Sequence, residues 1–221
     1  MQEFLSAYRY INSDHPKVIS YAKKICTGID SPVEKAIALY YRIRDDFRYN
    51  PYKLNFTEEG IQSSNLLERN YGYCVEKASL LVATARVVGI PARMGFANVK
   101  NHIGTSHLEE ILETDVFVFH GYAELFLKGK WVKLTPAFNK SLCNYLGVPV
   151  LEFDGENDAF FQQYDQSGKQ LEFLHFYGTF EDIPFNLMLT ELRSAYPHLS
   201  KYFIKGVVDF QEIRNELGIA S

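Results

Sequence analysis

The chain has 221 residues, 47% of them hydrophobic and 23% charged, with a formal net charge of −4. That length supports a sizeable core in a single domain with decorations, and a charge balance without a basic patch or an acidic run excludes a dedicated nucleic-acid role. The first five residues lack the basic start and apolar run of a secretory leader, and no uninterrupted apolar segment is long enough to span a bilayer, so a soluble, cytoplasmic protein with no membrane partner is expected.

Three cysteines without close pairing fit free thiols in a reducing compartment better than a disulfide framework. Aromatic residues make up 15% of the chain, mostly Tyr and Phe, which suits core and groove lining.

In chain order, residues 1–12 alternate loosely and predict a strand or an ordered arm. His15-Pro16 opens a helix to about residue 27, with Val18, Ile19, Ala22 and Ile25 on its apolar side and Gly28 ending it. Ser31-Pro32-Val33-Glu34 reads as a capping box with proline at the first helical position, which starts a second helix to about residue 47. Residues 48–70 are turn-rich, with a short helix expected near 64–68. Residues 92–99 predict a strand, followed by a polar connection through His102 and His107. Residues 116–127 form the clearest strand: Phe117, Phe119, Gly121, Ala123 and Leu125 on one face, Val118, His120, Tyr122, Glu124 and Phe126 on the other. Lys128-Gly129-Lys130 turns into a second strand over 131–135, which Pro136 stops. A turn at 165–169 precedes a strand over 171–177, and helices are expected over 184–195 and 209–217.

The stretch YGYCVEKASLLVATARVVGIPAR, residues 71–93, organises the rest. Gly72 supplies a turn before a helix, while Gly89 and Pro91 end it. Cys74, Ala78, Leu81, Ala85 and Val88 share one side, and Val75, Leu80, Val82 and Val87 leave few polar faces, the pattern of an enclosed helix. A thiol in its first turn meets unpaired backbone N–H groups and the positive end of the helix dipole, which favour thiolate.

Gly72-Tyr73-Cys74 and Gly89-Ile90-Pro91-Ala92-Arg93, followed by His120, Glu124, Trp131-Val132 and Thr135-Pro136, resemble the transglutaminase-like cysteine enzymes, whose core has the papain-like order of cysteine helix and then histidine strand. The resemblance covers about residues 71–138. It implies an α+β fold, with a nucleophile-bearing central helix packed on an antiparallel β-sheet. The whole chain, 1–221, would be one such domain, its motif-bearing core at about 31–138 and a C-terminal elaboration at about 139–221. By the same resemblance Cys74 is the nucleophile and His120 its acid–base partner. The aspartate that usually orients the histidine falls at Thr135, whose oxygen can accept a hydrogen bond from the imidazole but supplies no charge. Asn139 and Asp115 are alternative orienters.

The chemistry so implied is acyl transfer on a peptide or protein amide, without metal or cofactor. Cys74 attacks the carbonyl, His120 protonates the departing amine, and water or an amine resolves the thioester, with hydrolysis by a peptidase or amidase favoured. The Cys74 N–H is the natural first oxyanion donor, and Tyr52 and Asn65 are candidates for the second. Tyr49, Tyr52, Tyr71 and Tyr73 are expected along the groove. Cys26 and Cys143 read as buried small hydrophobes, Trp131 as packing and Glu124 as an arginine's partner. The missing aspartate motivates a competing reading, a peptide-binding module without turnover. A thiol redox sensor is a third.

Overall fold

A computed structural model describes residues 1–100, 106–160 and 172–219. Helices α1 (Pro16–Ile25) and α2 (Pro32–Asp46) each start on a proline, whose absent N–H is no loss at that position. Side chains cap both: His15 Nδ1 accepts from the Lys17 N–H, and Ser31 Oγ from the Glu34 N–H. Residues 1–12 form a 3-10 turn over Gln2–Leu5 and irregular chain, the arm of the two expected alternatives and not the strand.

The turn-rich segment that follows holds β1 (Arg48–Tyr49), β2 (Lys53–Asn55) and a 3-10 turn over Ser63–Glu68. Strand β3 (Tyr71–Gly72) pairs in parallel with β1 and delivers the chain into α3 (Cys74–Val87). Every residue of α3 from Cys74 to Arg86 is buried, as its nearly all-round apolar sequence requires. Gly89 then takes a φ of +81°, a left-handed conformation that costs glycine little and turns the chain out of the helix.

One antiparallel sheet covers α3. It comprises β4 (Ala92–Lys100), β5 (Val116–Leu127), β6 (Lys130–Leu134) and β7 (Glu172–Phe180), in the order β6-β5-β4-β7. Lys128 and Gly129, both at positive φ, make the two-residue turn between β5 and β6. A short helix, α4 (Ser106–Leu112), occupies part of the polar connection after β4, and α5 (Lys140–Leu146) follows β6. His102 and the turn at 165–169 lie outside the described residues.

The C-terminal part forms α6 (Phe185–Ala195), α7 (Ser200–Lys205), β8 (Val207–Asp209) and α8 (Phe210–Glu216). Strand β8 pairs antiparallel with β2, so the chain's end closes over the segment that leads to Cys74. Among the described residues no helix is long and apolar enough to cross a membrane.

Strand β5 breaks the strict alternation expected of it. Ala97 of β4 pairs with His120 and Val99 with Phe117, so β5 spends three steps where β4 spends two. The extra residue is a β-bulge beside His120, and Phe119 there has a φ of +63°.

Candidate active site

Cys74 is the first residue of α3, and the chain entering it is tied down. The Glu76 carboxylate accepts from the Tyr73 N–H at 3.1 Å and pairs with Arg69. Arg69 also donates to the Asn65 Oδ1 and to the Tyr71 carbonyl. Asn65 thus supports this turn through its Oδ1, and it does not line the cavity described below.

Strand β5 crosses the start of α3 at Gly121, where a Cβ would lie 2.9 Å from Val75 Cα. No side chain fits there, and the glycine lets the strand's backbone reach the cysteine. Burial dominates the thiol's ionisation and pushes it up to about 11, although the Gly121 and Val75 N–H groups pull the other way. The thiolate expected at a helix start is therefore not the resting form, because the sulfur lies in an apolar enclosure. Burial likewise pushes the His120 imidazole down to about 4, which makes it neutral at pH 7.

Cys74 and His120 line the same apolar cavity, with a volume of ≈ 80 Å³. Tyr49, Tyr73 and Phe138 form part of its wall, and Met188, Leu192 and Phe203 from the C-terminal helices close it. Among the described residues, buried polar atoms without a hydrogen-bond partner include His120 Nε2 and the Tyr73 hydroxyl, both from residues that line this cavity, and the Thr135 hydroxyl beyond its wall. Native interiors leave few such groups unpaired, and their concentration here is the strongest sign of a site built for an incoming ligand.

Thr135 lies one step beyond β6, and continuing the Ala123–Leu134 register places it opposite Tyr122, diagonal to His120 on the same face. Its hydroxyl does not hold the imidazole in this structure, and its N–H donates to the Ala159 carbonyl at 2.8 Å. Asn139 is committed elsewhere: its Oδ1 accepts from the Tyr49 N–H at 2.9 Å, and its amide donates to Ser141 Oγ at 2.7 Å. Asp115 pairs with Lys100 at 2.8 Å, five residues from His120 along β5. That is about 16 Å at the usual rise per residue, too far to orient the ring. Tyr52 does not line the cavity, and its carbonyl accepts from the Phe210 N–H at 2.8 Å. Tyr73 does line it. Glu124 pairs with Arg93 at 2.7 Å, the arginine partner expected from the sequence, and Arg93 lies over the Trp131 ring. Cys26, Cys143 and Cys74 are all free and buried.

Lys77, one turn after Cys74, was not singled out by its sequence context, although a lysine among apolar neighbours on an enclosed helix is a signal. It is fully buried, and its Nζ donates to the carbonyls of Arg44 at 2.9 Å, Phe47 at 2.7 Å and Ala137 at 2.7 Å. Three acceptors match the three N–H bonds of an ammonium, while burial, the largest influence, together with the nearby Arg44 charge pulls the group down to about 7. The lysine thus fastens the end of α2 and the segment after Thr135 to the cysteine helix.

No curated protein matches the chain. Among solved structures it is similar to the "Putative Cysteine Protease from Cytophaga hutchinsonii", with a TM-score of 0.53 and 18% identity over 84% of this chain. The chain spans 48% of that protein, and the likeness is one of fold. A "putative protease" from Parabacteroides distasonis is similar at a TM-score of 0.40 and 17% identity, over 61% of this chain and 24% of its own. Residues 19–136, more than half of the chain, match the family described as the transglutaminase-like superfamily, with both Cys74 and His120 inside the match. With its cysteine helix packed on an antiparallel sheet, the chain belongs to the transglutaminase-like superfamily.

Proposed function

We propose that the protein is a cysteine-nucleophile acyl-transfer enzyme that opens a peptide or related carboxamide through a thioester on Cys74, with water as the usual acceptor. The observation that carries this is the shared cavity: a helix-start thiol and a neutral imidazole face one enclosed space that holds unpaired polar atoms. A neutral pair suits general-base attack. The Cys74 proton passes to His120 as sulfur bonds to the carbonyl carbon, and the imidazolium then protonates the departing amine. The Cys74 N–H at the open end of α3 is the first oxyanion donor, and the unpaired Tyr73 hydroxyl is the second. Thr135, with its hydroxyl free on the histidine's face, steadies the imidazolium once it forms.

The cavity wall contains no charged side chain among the described residues. A charged acyl group would lose its hydration there without a counter-ion, so the acyl side of the substrate is neutral and apolar, aromatic or branched aliphatic. The test is to incubate the protein with N-acylated aromatic and aliphatic amino-acid amides and follow both free acid and acyl-enzyme by mass. The expected result is acid formation with an acyl adduct on Cys74, both absent in Cys74→Ala.

The unpaired Thr135 and, among the described residues, the absence of an acid on His120 favour one second reading, a peptide-binding module that has kept the groove. Ligand retention by Cys74→Ala, with no product from the native protein, would establish that reading instead.

A further inference from the structure

Phe119 adopts a left-handed conformation, with φ +63°, directly before His120. Left-handed backbone is strained for a bulky non-glycine residue, so the surrounding structure must impose it. Three hydrogen bonds do so. The Phe119 N–H donates to Asn98 Oδ1 at 3.1 Å, the Val118 N–H donates to the Tyr196 hydroxyl at 2.9 Å, and that hydroxyl donates to the Val116 carbonyl at 2.8 Å. Tyr196 is buried at the end of α6, and the Phe119 ring is packed between Phe96 and Tyr177, with ring centroids at 4.7 and 4.6 Å.

The bulge decides which side chain stands opposite Ala97. If the Val99–Phe117 pairing ran on regularly, Phe119 would pair with Ala97, and His120 would move on by one residue to the opposite face of the sheet. One residue of slip thus decides which face of the sheet carries the imidazole.

We propose that Tyr196 and Asn98 are positioning residues for His120, and that they act by clamping the Phe119 bulge from the C-terminal helices and from β4. Tyr196 thereby makes the C-terminal elaboration part of the reacting apparatus, since the segment that roofs the cavity also sets the histidine's register. The proposal rests on the reading of Cys74 and His120 as the reacting pair.

The test is the rate at which an N-acyl-phenylalanyl chloromethyl ketone alkylates Cys74, followed by mass over about pH 3.5 to 9, a range that takes in the folded-state titration of His120 at about 4. Wild type, Tyr196→Phe, Asn98→Ala, His120→Ala and Leu199→Ala are compared, each with a urea unfolding curve. Leu199 is buried beside Tyr196 in sequence and touches none of the three hydrogen bonds, so its truncation reports general loosening. Tyr196→Phe is expected to slow alkylation by about 10²-fold, the cost of misplacing a reacting group by roughly an ångström, and to flatten the pH profile to that of His120→Ala. Asn98→Ala is expected to act in the same direction, and Leu199→Ala to keep the wild-type profile despite an equal or larger loss of stability. A wild-type rate and profile in Tyr196→Phe, or a loss in Leu199→Ala that matches it, overturns the proposal while the reacting pair stands. Should His120→Ala react as fast as wild type, the reacting pair falls and the clamp with it.

Discussion

The Nζ of Lys77 lies 2.7 Å from the carbonyl oxygen of Ala137, which joins the interior of the cysteine helix to the segment that carries Thr135. The same ammonium holds the last carbonyls before β1. Lys77→Met would leave three buried carbonyls unpaired, at about 1–3 kcal/mol each, and would recover part of that by removing a buried charge. A net loss of about 3 kcal/mol in urea unfolding is expected, with slower alkylation of Cys74. Stability equal to wild type would show that the lysine's hydrogen bonds only balance its burial.

Gly121 faces the start of α3 with no room for a side chain. A methyl group would meet backbone at Val75 Cα, and backbone cannot rotate aside. Gly121→Ala is expected to cost about 1–3 kcal/mol and to displace the first turn of α3, with a loss of Cys74 reactivity larger than the stability change accounts for. Calorimetry and alkylation rates on the same preparation measure both.

The buried imidazole makes stability depend on pH. Burial lowers its folded-state value from 6.5 to about 4, so between those values the unfolded chain binds more protons than the folded one. Its contribution is full above pH 6.5, is lost as pH falls towards 4, and amounts to about 3 kcal/mol. Unfolding free energies measured across this window should fall more steeply in wild type than in His120→Asn. Parallel curves would contradict the burial of His120.

Chloromethyl ketones that differ only in the side chain beside the carbonyl test the apolar cavity. Phenylalanyl and leucyl probes are expected to react about 10-fold or more faster than glutamyl and lysyl ones, since a charge would enter unpaired. Leu192→Lys places an ammonium in the wall and should narrow or reverse the gap for the glutamyl probe. Equal rates across the series would remove the substrate preference and leave the nucleophile untouched.

The helix of Cys74 is legible in the sequence because its ends are written in residue types: a glycine before it, Gly89 and Pro91 after it, and apolar residues all round between them. The hairpin of β5 and β6 is legible for the same kind of reason, through alternation and the Lys128-Gly129 turn. What escapes is non-local. Neither the bulge at Phe119 nor its partner Tyr196, 77 positions after it, leaves a mark on a two-residue alternation. The ionisation of Cys74 escapes as well, because a helix start favours the thiolate locally, whereas burial by helices more than 100 residues downstream opposes it. Asn139 and Asp115 were plausible orienters by proximity in sequence, and only their partners, the Tyr49 N–H and Lys100, place them in other duties.

The most direct test of the central claim is site-resolved alkylation by the phenylalanyl chloromethyl ketone at neutral pH, in wild type and in His120→Ala. Cys74 is expected to be modified far ahead of Cys26 and Cys143, and its rate to fall by about 10²-fold or more when the imidazole is removed. Modification of Cys74 at the same rate in both proteins, or no faster than at the other two cysteines, would contradict a Cys74–His120 reacting pair.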